Sequence, residues 1–113
     1  MQPGEIPLAA FPFGDAPGMK LRPVLLLAPQ IASTNEVLVA YISSVIPPTV
    51  LPTDLVLDPQ LEEHGQTGLK VTSVLRLHKL ATIHVTTVRR WLGRLSARSM
   101  DQARAKLRSL LGL

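Results

Sequence analysis

The sequence predicts a mainly β domain that ends in one α-helix, and three patterns carry this prediction. All ten prolines lie within the first 59 residues. Because proline in sheets is confined to edges, turns and strand starts, this part should consist of short strands and loops. Residues 70–95 combine apolar alternation with β-branched side chains, as strands do. After residue 95 the apolar residues recur at helical spacing.

Six strands are expected before the helix, within one domain that spans residues 1–113 and has one modest core. The second strand should be buried on both faces, because Val24 to Ala28 is a continuous apolar run. The polar, glycine-flanked segment Asp58 to Gly68 should be a surface loop with room for one helical turn. On the fifth strand, Val71, Ser73, Leu75 and Leu77 should share one face. The expected strands are Gly4 to Phe13, Arg22 to Ala28, Glu36 to Ser44, Asp54 to Leu57, Lys70 to Ala81, and one within Thr82 to Leu95.

The C-terminal helix has recognisable end signals. Ser96 is a plausible N-cap, and Leu95 and Met100 have the spacing of a hydrophobic staple around it. Ser99, with a glutamine three residues later, is a competing capping site. Gly112 suits the position just past the helix end. The stripe expected to be buried is Met100, Ala103, Leu107 and Leu110. Short strands followed by one helix predict a small, strongly bent sheet or barrel that the helix caps.

Charge and composition narrow the functional classes. The net charge is +4, and residues 70–113 hold ten cations and one acid, whereas residues 1–69 hold two cations and seven acids. Such a basic half indicates an anionic partner, nucleic acid or an acidic protein, or else an ordinary solvated basic face. The absence of cysteine excludes disulfides, thiolate zinc sites and cysteine nucleophiles. No apolar run is long enough to cross a membrane, and no secretory signal is evident, so a cytoplasmic protein is expected.

One stretch, Ile6 to Leu27, has the features of a site for an anionic ligand. It reads as strand, loop, strand, and the loop contains glycines at both ends of the turn cluster Gly14 to Gly18. Glycines let a backbone approach a ligand closely, and a rigid strand would fix the direction of Arg22. Gly14 to Met19 should be mobile until a ligand binds.

Six short segments, found in this order along nearly the whole chain, carry a family resemblance. They are Gly4-Glu5-Ile6, Phe11-Pro12-Phe13-Gly14-Asp15, Arg22-Pro23-Val24-Leu25, Tyr41-Ile42-Ser43-Ser44, and Leu92-Gly93-Arg94-Leu95-Ser96 leading into Leu110-Leu111-Gly112-Leu113. Together they resemble the MazF/PemK (Kid) family of toxin ribonucleases from bacterial type II toxin–antitoxin pairs. The resemblance implies the small SH3-like barrel that MazF shares with the gyrase poison CcdB, with a C-terminal α-helix and usually as a homodimer.

The same resemblance implies a function. The expected activity is a metal-independent endoribonuclease that cuts single-stranded RNA, mRNA in particular, at short sequences and leaves a 2′,3′-cyclic phosphate and a 5′-hydroxyl. A cognate antitoxin, acidic and disordered until bound, would fill the groove beside the Gly14–Leu21 loop. No cofactor and no metal site are expected.

Cleavage of this kind needs a cation and a hydroxyl beside the scissile phosphate. A guanidinium grips phosphate oxygens bidentately, and the family pattern places this role on Arg22. The paired hydroxyl corresponds to Ser43, where the family more often has threonine. Ser44 is the neighbouring alternative, but the two serines lie on opposite faces of a strand, so at most one points at Arg22. The proton acceptor is not identified, since an arginine is effectively never deprotonated in a protein.

Further substrate contacts are expected at Asp15, Lys20, His78 and Lys79, alongside Ser44. For Asp15 a role as a turn residue bonded to its own backbone is slightly favoured over substrate contact. Lys20 is expected to contact a phosphate. His78 stands where relatives often carry an acid or glutamine, and Lys79 adjoins it.

Several alternatives remain open at this stage. His78 and His84 are conceivable as a two-histidine ribonuclease pair, whereas His64 should be solvated in its polar loop. Trp91 belongs to the core or to a dimer surface, because aromatics are too few for a base-stacking platform. The functional alternatives are a non-catalytic protein-binding toxin of the gyrase-poison type and an inactive relative that only binds antitoxin.

Overall fold

The computed structural model describes residues 1–11 and 20–113 of the chain. The predicted fold class is confirmed: within these described residues, six antiparallel strands form one sheet and one α-helix follows. Short 3₁₀ turns, Glu62–His64 and Val85–Thr87, precede β5 and β6 respectively. The elements are β1 Glu5–Phe11, β2 Lys20–Leu26, β3 Glu36–Ser43, β4 Asp54–Leu57, β5 Ser73–His84, β6 Val88–Arg94 and α1 Ala97–Leu111.

The strand β2 joins the two parts of the sheet, because it changes partner halfway along. The strand order is β4-β5-β3-β2-β1-β6. The first half of β2, up to Pro23, pairs with β1, and the second half, from Val24, pairs with β3. Among the described residues β4 pairs only with β5 and β6 only with β1, so the barrel-like sheet is not closed. The segment after β4 lies in the gap, where the Arg94 N–H of β6 donates to the Gln66 carbonyl at 2.9 Å.

Each face of the sheet carries its own apolar cluster, because side chains alternate along a strand. Val24, Leu25 and Leu26 are all fully buried, which confirms that β2 is covered on both faces. The cluster between the sheet and α1 comprises the strand residues Ile6, Leu25, Ala40, Ile42, Leu57, Leu75 and Leu77, together with Leu95 and the helix residues Met100 and Ala103. The opposite face holds Ala9, Phe11, Val24, Leu26, Val37, Val39, Tyr41 and Ile83.

The helix starts and ends as predicted. The Ser96 hydroxyl accepts the Ser99 N–H at 3.1 Å, so Ser96 is the N-cap. The competing Ser99 is buried and instead donates its hydroxyl to Glu63. Gly112 has φ 71° in the left-handed region, where glycine carries no steric penalty.

Two apolar residues are more exposed than predicted. Leu110 is 40% exposed, so the buried helix stripe stops at the partly buried Leu107. Val71 is 55% exposed because β5 begins only at Ser73, so it has no sheet face to share with Leu75 and Leu77.

The loop after β4 contains the expected helical turn, but the prediction that His64 is solvated is wrong. His64 is 5% exposed. Its carbonyl accepts the Thr67 hydroxyl at 2.9 Å, which folds the loop onto itself. Gly93 in β6 lets this loop approach, since a Cβ there would lie 2.1 Å from the Gln66 carbonyl oxygen. Glycine contacts of this kind cannot be read from loop polarity.

Two further observations bear on the surface. Trp91 is 45% exposed, so it does not belong to the core of this chain. In the part of the chain that the structure describes, no helix is long and apolar enough to cross a membrane.

Candidate functional site

Arg22 and Ser43 lie on the same face of the sheet, on neighbouring strands. The last paired positions of β2 and β3 are Val24 and Tyr41, which stand directly opposite each other. Arg22 lies two residues before Val24 on β2, and Ser43 lies two residues after Tyr41 on β3. Because the strands are antiparallel, both residues stand beyond this last pair at the same end of the ladder. Because side chains alternate with period two, both project to the face that Val24 and Tyr41 occupy. Arg22 is exposed at this end of β2, as expected for a cation at the rim.

The two adjacent serines differ in placement. The Ser43 hydroxyl is buried and accepts the Val45 N–H at 3.1 Å while donating to the Val45 carbonyl at 3.2 Å. Ser44 is exposed and lines a groove on the opposite side of the strand. Ser43 is therefore the serine that shares a face with Arg22.

Arg76 on β5 adds a second guanidinium to this face. In the ladders Arg76 stands opposite Tyr41 on one side and opposite Asp54 on the other. Ser43 pairs with Val74, which lies two residues before Arg76 on β5, so Ser43 and Arg76 are diagonal neighbours across the two strands. Diagonal neighbours in a sheet are about 7–8 Å apart, within reach of a long side chain.

Asp54 holds Arg76 in place from β4. Its side chain is fully buried, and it accepts Arg76 Nε at 3.1 Å, Arg76 Nη2 at 3.3 Å and the Leu51 N–H at 2.8 Å. Two bonds from a planar guanidinium and one from a backbone amide satisfy a buried carboxylate. The pair is thus a rigid, oriented part of the site.

His78 lies beside this pair in an irregular part of β5. Ala40 pairs with Leu80 and Tyr41 with Arg76, so the three residues between them on β5 have no opposite partner on β3. Bulges of this kind redirect side chains and are frequent next to active sites. His78 Nδ1 is 3.9 Å from Asp54 Oδ1. Burial lowers the pKa of His78, as do the charges of Arg76 and Lys79, while Asp54 opposes them.

The remaining predicted contacts fall in different places. Lys20 is exposed at the start of β2, opposite Phe11 of β1. Phe11 and Tyr41 stack at 5.3 Å on the face that carries Arg22. Lys79 is half-buried in the bulge of β5. Asp15 and the loop 14–19 lie outside the described residues.

A pair of catalytic histidines on β5 is not formed. His84 ends β5 opposite Glu36, where its Nδ1 accepts the Thr86 N–H and caps the following turn. Six residues along a strand separate it from His78, roughly 20 Å at about 3.3 Å per residue. Within residues 1–11 and 20–113, no three histidine, aspartate or glutamate side chains are grouped to hold a metal ion.

A groove of about 380 Å³ lies where the sheet fails to close, between β6 and the chain that leads into β5. Its walls are mainly apolar, with two cations, Lys70 and Arg90, and two hydroxyls, Ser44 and Ser73. It opens on the side of β3 opposite Ser43.

The sequence contains a signal for Arg76 but none for Asp54, and neither is among the predicted site residues. Ser73, Leu75 and Leu77 were assigned to one face of β5, which leaves Arg76 and His78 on the other. Two polar residues two apart in an otherwise apolar strand mark a polar patch. Asp54 opens a short apolar strand, a position that the alternation alone does not single out.

Together these side chains can bind and react with a phosphodiester. Two guanidiniums suit phosphate oxygens, a hydroxyl can hold one of them, and an imidazole can move a proton near neutral pH. No described acid on this face is free to bind a metal ion, because Asp54 is committed to Arg76.

Comparison with known proteins gives a match to one family model. The family model described as "PemK-like, MazF-like toxin of type II toxin-antitoxin system" matches residues 2–111. No curated protein sequence matches significantly.

Solved structures share the fold over essentially the whole chain. A MazE–MazF complex from Deinococcus radiodurans has a TM-score of 0.75 at 22% identity and covers 100% of this chain and 97% of that one. The Mycobacterium tuberculosis toxin MazF-mt6 has a TM-score of 0.74 at 24% identity, covering 96% and 97%. An endoribonuclease in complex with its cognate antitoxin from a mycobacterial species has 0.74 at 16% identity, covering 100% and 96%.

Proposed function

Because this chain belongs to the PemK-like, MazF-like toxin family of type II toxin–antitoxin systems, we propose that it is an endoribonuclease that cleaves single-stranded RNA without a metal ion. The observation that carries the proposal is the convergence of Arg22, Ser43, Arg76 and His78 on one face of three adjacent strands. The groups required to bind a phosphate and transfer a proton are thus held on rigid elements.

The proposed reaction uses the neighbouring 2′-hydroxyl of the RNA as nucleophile. Its attack on phosphorus adds negative charge to the phosphoryl oxygens, and preorganised donors stabilise that charge. Arg22, exposed at the rim, takes the phosphate bidentately. Arg76 contributes its positive charge from the adjacent strand while it stays bonded to Asp54.

Ser43 can assist without rearrangement of the backbone. Its oxygen keeps the Val45 N–H as donor while its own O–H turns from the Val45 carbonyl to a phosphoryl oxygen. A hydroxyl both donates and accepts, so the Val45 bond orients it for this exchange. A threonine at this position, as relatives more often have, would supply the same hydroxyl.

The RNA would be held mainly through its phosphates. Lys20 and Lys79 are proposed as further contacts to the backbone of the RNA, and Asp15 as a contact from the loop. The products expected from 2′-hydroxyl attack are a 2′,3′-cyclic phosphate and a 5′-hydroxyl. With mRNA as the natural substrate, the site of action is the cytoplasm.

Two protein partners belong to the proposal. The family pairs each toxin with an antitoxin, and solved structures of similar proteins include complexes with a cognate antitoxin and with MazE. We propose an acidic antitoxin segment that competes with RNA for the cationic face. We also propose a homodimer with two-fold, self-complementary contacts, to which the exposed Trp91 and Leu110 would contribute apolar surface.

The deciding experiment is cleavage by the purified protein of a pool of single-stranded RNAs in EDTA, with chemical identification of the new ends. Cleavage at a short sequence with cyclic-phosphate and 5′-hydroxyl ends would support the proposal. RNA that stays intact would favour the alternatives, a protein-binding toxin or an inactive relative.

Light scattering at micromolar concentration tests the dimer separately, and a monomer would contradict it.

A further inference from the structure

The proposed cleavage needs a group that accepts the proton of the 2′-hydroxyl. The two arginines of the site cannot do so, because a guanidinium is not deprotonated in a protein. The Asp54 carboxylate is fully buried and already accepts three hydrogen bonds. A serine hydroxyl is a poor base, and lysine side chains in general are protonated near neutral pH. Among the described residues of this face, His78 is the side chain with a suitable lone pair.

We propose that His78 is the general base of the reaction and that Asp54 is the residue that positions it. This inference rests on the proposed function and assigns the proton transfer within it. The imidazole lies in the bulge of β5, where it is freed from pairing with β3, and its side chain is 30% exposed, so that substrate can reach it.

The contact between His78 and Asp54 determines which ring nitrogen of His78 accepts the proton. Nδ1 of His78 faces Asp54 Oδ1 at 3.9 Å, too long for a full hydrogen bond but close enough for attraction to the carboxylate. Arg76, bonded twice to the same carboxylate, prevents it from moving away. The proton of the neutral ring therefore belongs on Nδ1, which leaves the Nε2 lone pair for substrate.

The electrostatic surroundings keep the ring in its basic form. Burial lowers the pKa of His78, as do Arg76 and Lys79 of the same strand, while Asp54 of β4 raises it. The net effect is a lowered pKa, so the ring stays neutral to lower pH than an ordinary imidazole. A general base must be unprotonated to act.

The proton balance of the step is simple. Nε2 takes the proton of the 2′-hydroxyl as O2′ bonds to phosphorus, and the bond from phosphorus to O5′ breaks. The departing O5′ takes a proton from water, which gives a 5′-hydroxyl and a 2′,3′-cyclic phosphate. The imidazolium then returns its proton to solvent.

The principal test compares the wild-type protein with His78→Gln and with the control His84→Gln, which alters an exposed histidine at the far end of the same strand. Single-turnover cleavage of one RNA is measured in EDTA from about pH 5 to 9. His78→Gln should lose about 100- to 10,000-fold, the range for a general base, and the control should match wild type. Wild type should lose activity as pH falls through the pKa of His78, and His78→Gln should lack this acidic limb.

A second substrate separates base from acid. When sulfur replaces the 5′-bridging oxygen, the leaving group departs without a proton. If His78 is the base, the loss of rate in His78→Gln relative to wild type should be the same on the sulfur-substituted RNA as on ordinary RNA. Disappearance of the defect would overturn the assignment, because it would make His78 the acid.

Asp54→Asn tests the positioning role. Removal of the negative charge should lower the pKa of His78 further, measured by NMR titration of its ring, and move the acidic limb to lower pH. An unchanged pKa in folded Asp54→Asn would refute the role of Asp54, and equal cleavage by His78→Gln and wild type would refute that of His78. If Asp54→Asn does not fold, the His78 comparisons still decide the proposal. Wild-type protein that does not cleave RNA would overturn the proposed function itself and this inference with it.

Discussion

Replacement of Arg22 by alanine should separate activity from stability. The Arg22 side chain is exposed, and the backbone of the residue pairs with Ala9 of β1 through groups that alanine also has. Nothing buried loses a partner, so the free energy of unfolding should change by less than about 1 kcal/mol, as for other surface sites. A substitution that leaves the fold intact isolates the chemical role of the guanidinium.

The expected loss is in the rate of cleavage. If Arg22 is a preorganised donor to the phosphorane, Arg22→Ala should slow cleavage about 100- to 1000-fold, or about 2.7–4 kcal/mol in the barrier. Arg22→Lys should recover part of this, because an ammonium keeps the charge but loses the bidentate grip. Ser43→Ala should be milder, since it removes one neutral hydrogen bond. It also leaves the Val45 N–H without its side-chain partner, at a cost of about 1 kcal/mol in stability.

The assay is single-turnover RNA cleavage beside urea unfolding of each variant. Arg98→Ala is the matched control, because Arg98 is a 79% exposed arginine on α1 with only a 3.9 Å contact to Glu63. It should retain wild-type cleavage and stability. Normal cleavage by folded Arg22→Ala would refute the role of Arg22, and an equal loss in Arg98→Ala would show that general charge, rather than this site, is responsible.

The remaining predictions concern the fold and the binding of RNA. Asp54→Ala should lower the free energy of unfolding by about 3–5 kcal/mol in urea titrations, because it strands the Arg76 guanidinium in the sheet; a loss below about 1 kcal/mol would contradict this. Gly93→Ala should cost at least about 1–3 kcal/mol, since its Cβ would lie 2.1 Å from the Gln66 carbonyl oxygen. Gly65→Ala is the control, because its nearest contact would be an ordinary 3.5 Å. RNA affinity should fall with salt at a log–log slope of about −0.7 per phosphate neutralised, and a flat response in filter binding would mean that the basic half serves another partner.

Local chemistry in the sequence determined much of the architecture. The Ser96 cap, the Gly112 end and the doubly buried run at Val24 follow from short-range preferences and from periodicity, and all three are confirmed. The restriction of proline to the first 59 residues anticipated strands and loops there, with the helix last. These features depend on residues within a few positions of each other, which a sequence displays directly.

Only the tertiary structure decided which polar residues share a site. Arg76 and Asp54 are 22 positions apart along the chain, and the register of β4 against β5 makes them partners. The bulge that releases His78 from β3 appears only when the two strands are aligned. His64 is likewise buried because its loop fills the gap that the open sheet leaves beside Gly93. Register and gap filling depend on how distant strands pack together, and no window of the sequence contains both sides of such a contact.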